Sequence, residues 1–301
     1  GHGDGDALVG GTVEDSFLIA DLFKICLGIE FAEGRNIVTR LDHTRVDEIG
    51  DLSAALCGKI AMCNVLRQCN IRYSLTKDAT VFPLSDAFTE DLRNFAAVCR
   101  IVKELRTFNI GAIGARTTAF KTVRVDEIAL QKKGINVETI DLSEVFLRID
   151  KVSDEKIEEK KKQILAITEF TGWPEEKLTN MAKTQAAFEE LVADYNLDAV
   201  AVRCWDEFQK YYGIAPCTSL SLLNEMGISA ACEVDVVNAI MMRALSLASD
   251  EPTMLLDYNN NYGNENDKAI MFHCGPIAPS MLEGKGKVEE HLMFKKTYGD
   301  G

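Results

Sequence analysis

The last third of the chain alternates short apolar runs with single side chains that can bind a metal ion. Three such runs are each closed by an acid or a histidine: 228–232 before Glu233, 253–256 before Asp257, and 268–272 before His273. Short apolar runs bounded by turn-forming residues predict buried strands of an α/β sheet. Residues 234–249, between the first two runs, have the apolar spacing of a helix. This stretch therefore predicts strands that end in chemically active groups.

The rest of the chain predicts the same alternation of helices and strands. Helices are predicted at 51–69, 86–107, 151–169, 175–195 and 217–226, and strands at 71–75, 109–114, 135–140 and 198–204. The clearest unit is 109–140, where a strand, a turn at Gly114, a stretch at 116–120 that leads to a helix through Leu130, and a second strand follow in order. That order is typical of a βαβ unit. The predicted fold class is α/β with parallel-sheet domains.

Composition restricts the class of protein. The 301 residues are 47% hydrophobic and carry a net charge of −14. The absence of a basic excess argues against a nucleic-acid partner, and no apolar run is long enough to cross a membrane. The nine cysteines are an odd number without a CxxC pair and lie mostly in apolar segments. This pattern predicts reduced thiols in a cytoplasmic protein.

The predicted strand ends bring three candidate metal ligands to one edge of a sheet. Ligands of open α/β sheets bind beyond the carboxyl ends of the strands, so Glu233, Asp257 and His273 are expected to converge. Two carboxylates and one imidazole suit Mn²⁺, Mg²⁺, Fe²⁺ or Zn²⁺. Each residue has a structural alternative. Glu233 could cap the next helix, Asp257 could open a turn, and His273 could be a core histidine with satisfied hydrogen bonds.

An ordered set of motifs resembles a known enzyme family. The motifs are IGAIGARTTAFKTVRVDE (110–127), GINVETIDLSEV (134–145), VRCWDEF (202–208), ACEVD (231–235), LLDYNN (255–260) and FHCG (272–275). Together they resemble the L-fucose isomerase and L-arabinose isomerase superfamily, including its fucose-isomerase-like proteins. The resemblance covers roughly residues 43–280.

The resemblance implies an aldose–ketose isomerase that moves a proton between two sugar carbons through an enediol, with L-fucose or L-arabinose as the type of substrate. It implies that Glu233 and Asp257 are catalytic groups and metal ligands, with His273 as a third ligand and Mn²⁺ or another divalent cation as cofactor. It also implies a homo-oligomer with active sites between subunits. The alternatives are a non-catalytic sugar-binding or regulatory protein of this fold, and another metal-dependent sugar enzyme.

Four residues are candidates for sugar binding. Arg116 follows the Gly114 turn, which could contact a sugar or serve only as a tight turn. Trp205 follows the strand 198–204 and could line the cleft or cap the next helix. Asn259 and Asn260 belong to an asparagine-rich loop, whose amides could contact sugar hydroxyls or bond their own backbone.

Three domains are predicted. Residues 1–105 are interpreted as an incomplete N-terminal α/β domain, 106–250 as a flavodoxin-like central domain, and 251–301 as the start of a truncated C-terminal domain. Family members continue beyond this point, and the distal histidine that some of them use is absent. We therefore expect the 301-residue chain to be a fragment with little isomerase activity of its own.

Overall fold

A computed structural model describes residues 48–82 and 84–290, in two compact units with a boundary between Arg93 and Asn94. Helix α1 (Glu48–Gln68) belongs to the first unit, and α2 (Asp86–Leu105) begins there. The strand predicted at 71–75 is wrong, because this segment has no ladder partner among the described residues and its apolar side chains are exposed. Lys59 Nζ instead donates to the Ala79 carbonyl at 2.9 Å and ties the following loop to α1.

The second unit alternates strands and helices. In chain order its elements are β1 (Phe108–Ile113), α3 (Glu127–Gln131), β2 (Ile135–Ile140), α4 (Leu142–Ile149), α5 (Asp154–Ile167), β3 (Thr168–Glu169), α6 (Glu175–Asp194), β4 (Ala199–Val202), α7 (Glu207–Tyr212), α8 (Cys217–Glu225), β5 (Ser229–Cys232), α9 (Val236–Ser249), β6 (Asp257–Tyr262), β7 (Glu265–Phe272) and β8 (Gly286–Lys287). Short 3₁₀ turns lie at Lys121–Val123 and Pro279–Met281. The predicted α/β class is confirmed.

The main sheet has four parallel strands in the order β2-β1-β4-β5. Ile113 at the end of β1 lies opposite Ile140 on one side and Val202 on the other, and Val202 lies opposite Cys232. This is the order that begins a flavodoxin-like doubly wound sheet. The carboxyl ends of β1, β4 and β5 therefore share one edge.

Alternate residues of the central strands pack on opposite faces of the sheet, because successive strand side chains point to opposite sides. Val200 and Val202 pack with a cluster contributed by α4, α6 and α8, which includes the fully buried Phe188. Ala199 and Ala201 pack with α9 on the other face. No helix in the described ranges has both the length and the apolar character needed to span a membrane.

The helix predicted to follow residues 116–120 and run through Leu130 is shorter than predicted. The chain there forms a 3₁₀ turn and only the short α3. Residues 117–125 carry several β-branched side chains, which disfavour a helix. Asp126 then caps α3 by accepting a hydrogen bond from the Ala129 amide at 3.0 Å, and this bond sets where the helix begins.

Strands β6 and β7 form an antiparallel hairpin outside the main sheet. The run 253–256 pairs with no strand in the part of the chain that the structure describes, so the predicted strand there is wrong, and β6 begins only at Asp257. The predicted strand 268–272 lies within β7, but nearly every residue of the hairpin is exposed. Only Gly263 and Asn264 separate the two strands, and such a short connection forces antiparallel pairing.

Candidate active site

The turn from β5 into α9 holds two successive residues in a strained backbone conformation. Glu233 has φ 63° and Val234 has φ 59°, in the left-handed region that L-residues seldom adopt. Each such residue costs on the order of 1–3 kcal/mol and persists where the surroundings fix it. Here Val234 is buried, and its amide donates to the Val202 carbonyl at 3.3 Å. The turn therefore holds Glu233 in one place, beyond the carboxyl end of β5.

Asp235, not Glu233, is the N-cap of α9. Its carboxylate accepts the Asn238 backbone amide at 3.1 Å and the Asn238 side-chain amide at 2.6 Å. The capping alternative for Glu233 is thus wrong, and the Glu233 carboxylate is not needed for the helix start. This leaves Glu233 available for chemistry at the sheet edge.

Electrostatics link Glu233 to Asp257. Burial and then the negative charges of Asp257 and Asp235 raise the pKa of Glu233 to about 7. Carboxylates that lie close together without a cation disfavour each other's ionisation. The structure thus brings the two predicted catalytic acids near enough to influence each other.

Antiparallel pairing in the hairpin brings Asp257 to His273. Asp257 lies opposite Phe272, the residue before His273, and its Oδ2 is 3.7 Å from His273 Nδ1. Asp257 therefore begins a strand and does not open a turn, so that alternative is wrong. The side chain of His273 is only 4% exposed, and its Nδ1 has no hydrogen-bond partner. The satisfied-histidine alternative is wrong as well.

The three predicted ligands suit a divalent ion chemically, but they are not gathered as a preformed centre. Within residues 48–82 and 84–290, no three His, Cys, Asp or Glu side chains are placed to hold a metal ion. The donor set still fits a cation, because two carboxylates interact unfavourably and a buried imidazole nitrogen has no partner. Glu233, Asp257 and His273 are therefore neighbours rather than an assembled metal site.

Two adjoining cavities lie beside these residues. A cavity of about 420 Å³ is lined by Phe272 and His273. Trp173 and Lys177 also line it. A pocket of about 10 Å³, with space for about one water molecule, is lined by Glu233 and Trp205. The two cavities share four wall residues, which are Ala215, Cys217, Cys274 and Gly275. Glu233 and His273 thus face adjoining spaces.

Arg116 and Trp205 lie in contacting segments but differ in orientation. The Arg116 guanidinium donates to the carbonyls of Thr117 and Phe120, both at 3.1 Å, and so braces its own loop. Phe120 of that loop packs edge-on against Trp205, with ring centroids 5.3 Å apart. Trp205 lines the small pocket next to Glu233, as the cleft alternative predicts. The structure brings Trp205 to the site and directs Arg116 to its own loop.

The asparagines lie away from the two cavities. Asn259 and Asn260 are exposed residues of β6, and neither lines a cavity. The predicted asparagine loop is therefore mostly strand, and Asn261 near its end bonds locally by donating to the Gly263 carbonyl at 2.8 Å. Local bonding of asparagine is the behaviour that the turn alternative predicts.

Several residues at the site carry little signal in the sequence. Lys177 and Trp173 lie near the start of α6, far along the chain from the acids, and only the fold brings them to the cavity wall. Cys232 reads as a core cysteine from its apolar neighbours, yet its Sγ lies 2.9 Å from His273 Nε2. The sequence indicates a role of Cys232 at the site only by its position directly before Glu233.

Residues 37–106 match the family described as fucose/sulfoquinovose isomerase, N-terminal domain. A sulfoquinovose isomerase of Alkalicoccus urumqiensis is 29% identical over 269 residues, which are 84% of this chain and 59% of that protein. A sulfoquinovose isomerase of Priestia aryabhattai is 28% identical over 205 residues, 66% of this chain and 45% of that protein.

The same printed name belongs to a protein of Clostridium sp. (strain MSTE9), which is 25% identical over 201 residues. The chain spans about half the length of these curated relatives, between 45% and 59%. The matches agree with the resemblance that the ordered motifs carry. The family description names fucose and sulfoquinovose, and the names of the three relatives give sulfoquinovose alone. These matches support the resemblance of the chain to the fucose-isomerase-like superfamily.

Proposed function

We propose that this chain carries the catalytic acids of a divalent-metal-dependent aldose–ketose isomerase. The observation that carries the proposal is the coupling of Glu233 and Asp257, because the charge of Asp257 contributes to raising the pKa of Glu233 to about 7. Two acids that disfavour each other's ionisation in the metal-free protein form a site that a divalent cation would stabilise. A carboxylate there can take a proton from the sugar and return it, as isomerisation requires. The isomerase names of the relatives support the reaction type.

Mn²⁺ or a similar divalent ion is the proposed cofactor, with Glu233, Asp257 and His273 as its ligands. When bound, such an ion would polarise the carbonyl of the sugar. Glu233, at the fixed turn after β5, is the residue we assign to proton transfer between the two carbons. Asp257 would share the cation with Glu233, and the positive charge of the ion would keep both acids ionised.

The proposed place of the sugar is the 420 Å³ cavity next to His273. The aromatic side chains of Phe170, Trp173 and Phe272 line it, as is common in pockets that bind rings. Its charged wall residues are Lys177, Lys287, Glu289 and Glu290. Lys287 and Glu289 are exposed and more strongly screened by water than the half-buried Lys177.

We propose an anionic aldose as the substrate, with sulfoquinovose as the first candidate. The neutral sugars L-fucose and L-arabinose are the alternative substrates. The printed names of the relatives support the anionic sugar. Lys177 could meet its negative end, because one Nζ hydrogen is used by the Gly213 carbonyl at 2.6 Å and an ammonium has three.

The proposal includes a homo-oligomer in the cytoplasm. Large apolar side chains of the hairpin, among them Ile270, Met271 and Phe272, are exposed. A second copy of the chain could cover them, since exposed apolar patches are typical of association surfaces. The eight described cysteines are free thiols, in line with a reducing compartment. Light scattering would measure the molar mass of the protein in solution. A monomer at assay concentration would contradict the proposed homo-oligomer.

The test is ketose formation from sulfoquinovose, L-fucose and L-arabinose, with and without Mn²⁺, by this chain and by a natural chain of the relatives' length. We expect Mn²⁺-dependent ketose from the longer chain, lost in its Glu233→Gln form. Sugar binding without turnover in both chains would favour a non-catalytic binding protein. Cleavage products in place of a ketose would favour an aldolase or hydrolase.

A further inference from the structure

Cys232 contacts one ring nitrogen of His273 inside the protein. Its Sγ lies 2.9 Å from His273 Nε2, and Cys232 is only 2% exposed. Gly275 makes this approach possible, because a Cβ at that position would overlap the His273 ring and lie 3.1 Å from Cys232 Sγ. The thiol and the imidazole are therefore held against each other by β5 and by the segment after β7.

The other ring nitrogen of His273 has no hydrogen-bond partner among residues 48–82 and 84–290. Nδ1 is buried and lies 3.7 Å from Asp257 Oδ2. A buried polar atom without a partner costs about 1–3 kcal/mol, so such atoms usually meet a ligand that completes them. The unpartnered nitrogen thus points to a ligand on the Asp257 side of the ring.

We infer that Cys232 is a positioning residue: its sulfur accepts the Nε2 hydrogen of His273, so that the Nδ1 lone pair faces Asp257 and can serve as a metal ligand. This inference rests on the proposed function. Imidazole ligands of metals are commonly oriented by a hydrogen bond to their second nitrogen. A thiol can accept a hydrogen bond weakly while it donates its own hydrogen elsewhere.

The thiol of Cys204 is compatible with this direction of the bond. Cys204 and Cys232 are buried in the same core cluster. A Cys232 thiol hydrogen directed toward Cys204 would leave the sulfur lone pairs for the N–H of His273.

Nitrogen NMR of the imidazoles tests the inference directly. The chain has only four histidines, so His273→Gln would assign the His273 signals. We expect the tautomer with hydrogen on Nε2 in the metal-free protein. Cys232→Ala should shift this tautomer and weaken Mn²⁺ binding by about 10- to 100-fold. Cys232→Ser should restore the tautomer and most of the affinity, because its hydroxyl can also accept. Cys217→Ala, which removes a thiol of the same pocket wall whose Sγ lies 3.8 Å from the Cys274 carbonyl, is the matched control.

The outcomes separate this inference from the proposed function. Hydrogen on Nδ1 in the unsubstituted protein would overturn the inference, as would an unchanged tautomer and affinity in Cys232→Ala. An equal loss in Cys217→Ala would assign the effect to packing and overturn it too. The expected tautomer, lost in Cys232→Ala, together with no Mn²⁺ binding in any form, would support the thiol–imidazole contact and overturn the metal site.

Discussion

Asp257 Oδ2 and His273 Nδ1 lie 3.7 Å apart because Asp257 pairs with Phe272 across an antiparallel hairpin. One residue begins the first strand and the other directly follows the second. Glu233 reaches the same region from the end of a parallel strand, through a turn of two left-handed residues. The candidate site is therefore built where a hairpin meets the carboxyl edge of a sheet.

Removal of either carboxylate should weaken divalent-ion binding. Glu233→Gln and Asp257→Asn are each expected to raise the Kd for Mn²⁺ at least tenfold, about 1.4 kcal/mol, because each removes a negative ligand. Calorimetric titration measures the change. Asp267→Asn, an exposed acid on the same hairpin, is the control and should leave the Kd unchanged. Normal binding by both site variants would exclude the assignment.

The stability of the metal-free protein should depend on pH through Glu233. Its folded pKa of about 7 exceeds the ordinary 4.5, so the folded state holds a proton that the unfolded state loses. The contribution of Glu233 is thus fully present below pH 4.5 and is lost as the pH rises through about 7.

Glu233→Gln removes this dependence, since an amide does not titrate. Denaturant unfolding of both proteins across this pH range measures the difference between their free energies of unfolding. The other titrating groups contribute equally to both proteins, so their effects cancel in this difference. We expect the variant to gain stability relative to the parent as the pH rises. A difference that does not vary with pH would show that Glu233 titrates normally.

Arg116 should act on its loop more than on the sugar. Its guanidinium donates to the Thr117 and Phe120 carbonyls, so Arg116→Ala would leave these acceptors without their donor. We expect a lower Tm and a KM for the sugar that stays within about twofold, since charged hydrogen bonds contribute about 1.5–3 kcal/mol to stability. A large rise in KM without a change in Tm would contradict this expectation and indicate that Arg116 binds the sugar.

Lys177 should distinguish anionic from neutral sugars. Lys177→Met is expected to lower kcat/KM for sulfoquinovose at least tenfold, about 1.4 kcal/mol, with little change for L-fucose. Lys183→Met, on the same helix and not among the cavity-lining residues, is the control. Equal losses for both sugars would mean that Lys177 serves only to hold the Gly213 carbonyl after α7.

The sequence predicted the parallel strands well because their apolar runs are uninterrupted. The strands ending near Ile113, Ile140, Val202 and Cys232 were all expected close to their observed positions. The hairpin was misplaced because a short apolar run such as 268–272 reads the same whether it pairs in parallel or antiparallel fashion. The lysine and tryptophan of the cavity wall could not be found, because only tertiary packing brings α6 to His273.

Glu233 and Asp257 are candidates in the sequence because each directly follows an apolar run, and this signal does not depend on how the strands pair. The sequence predicts their proximity for a reason that differs from the arrangement in the structure. Parallel strand ends were expected to bring all three together, whereas the structure uses a parallel strand for Glu233 and a hairpin for Asp257 and His273. The contact between Cys232 and His273 needed the register of both elements, which no single motif encodes.

The most direct measurement of the central claim is anomalous diffraction from crystals of this chain soaked in Mn²⁺. The account predicts a manganese peak within about 2.0–2.3 Å of carboxylate oxygens of Glu233 and Asp257, a range typical of divalent metal–oxygen bonds. The peak should lie on the Nδ1 side of His273 and be absent from the Glu233→Gln, Asp257→Asn double variant. A well-occupied peak elsewhere, or none beside these two acids, would contradict the account.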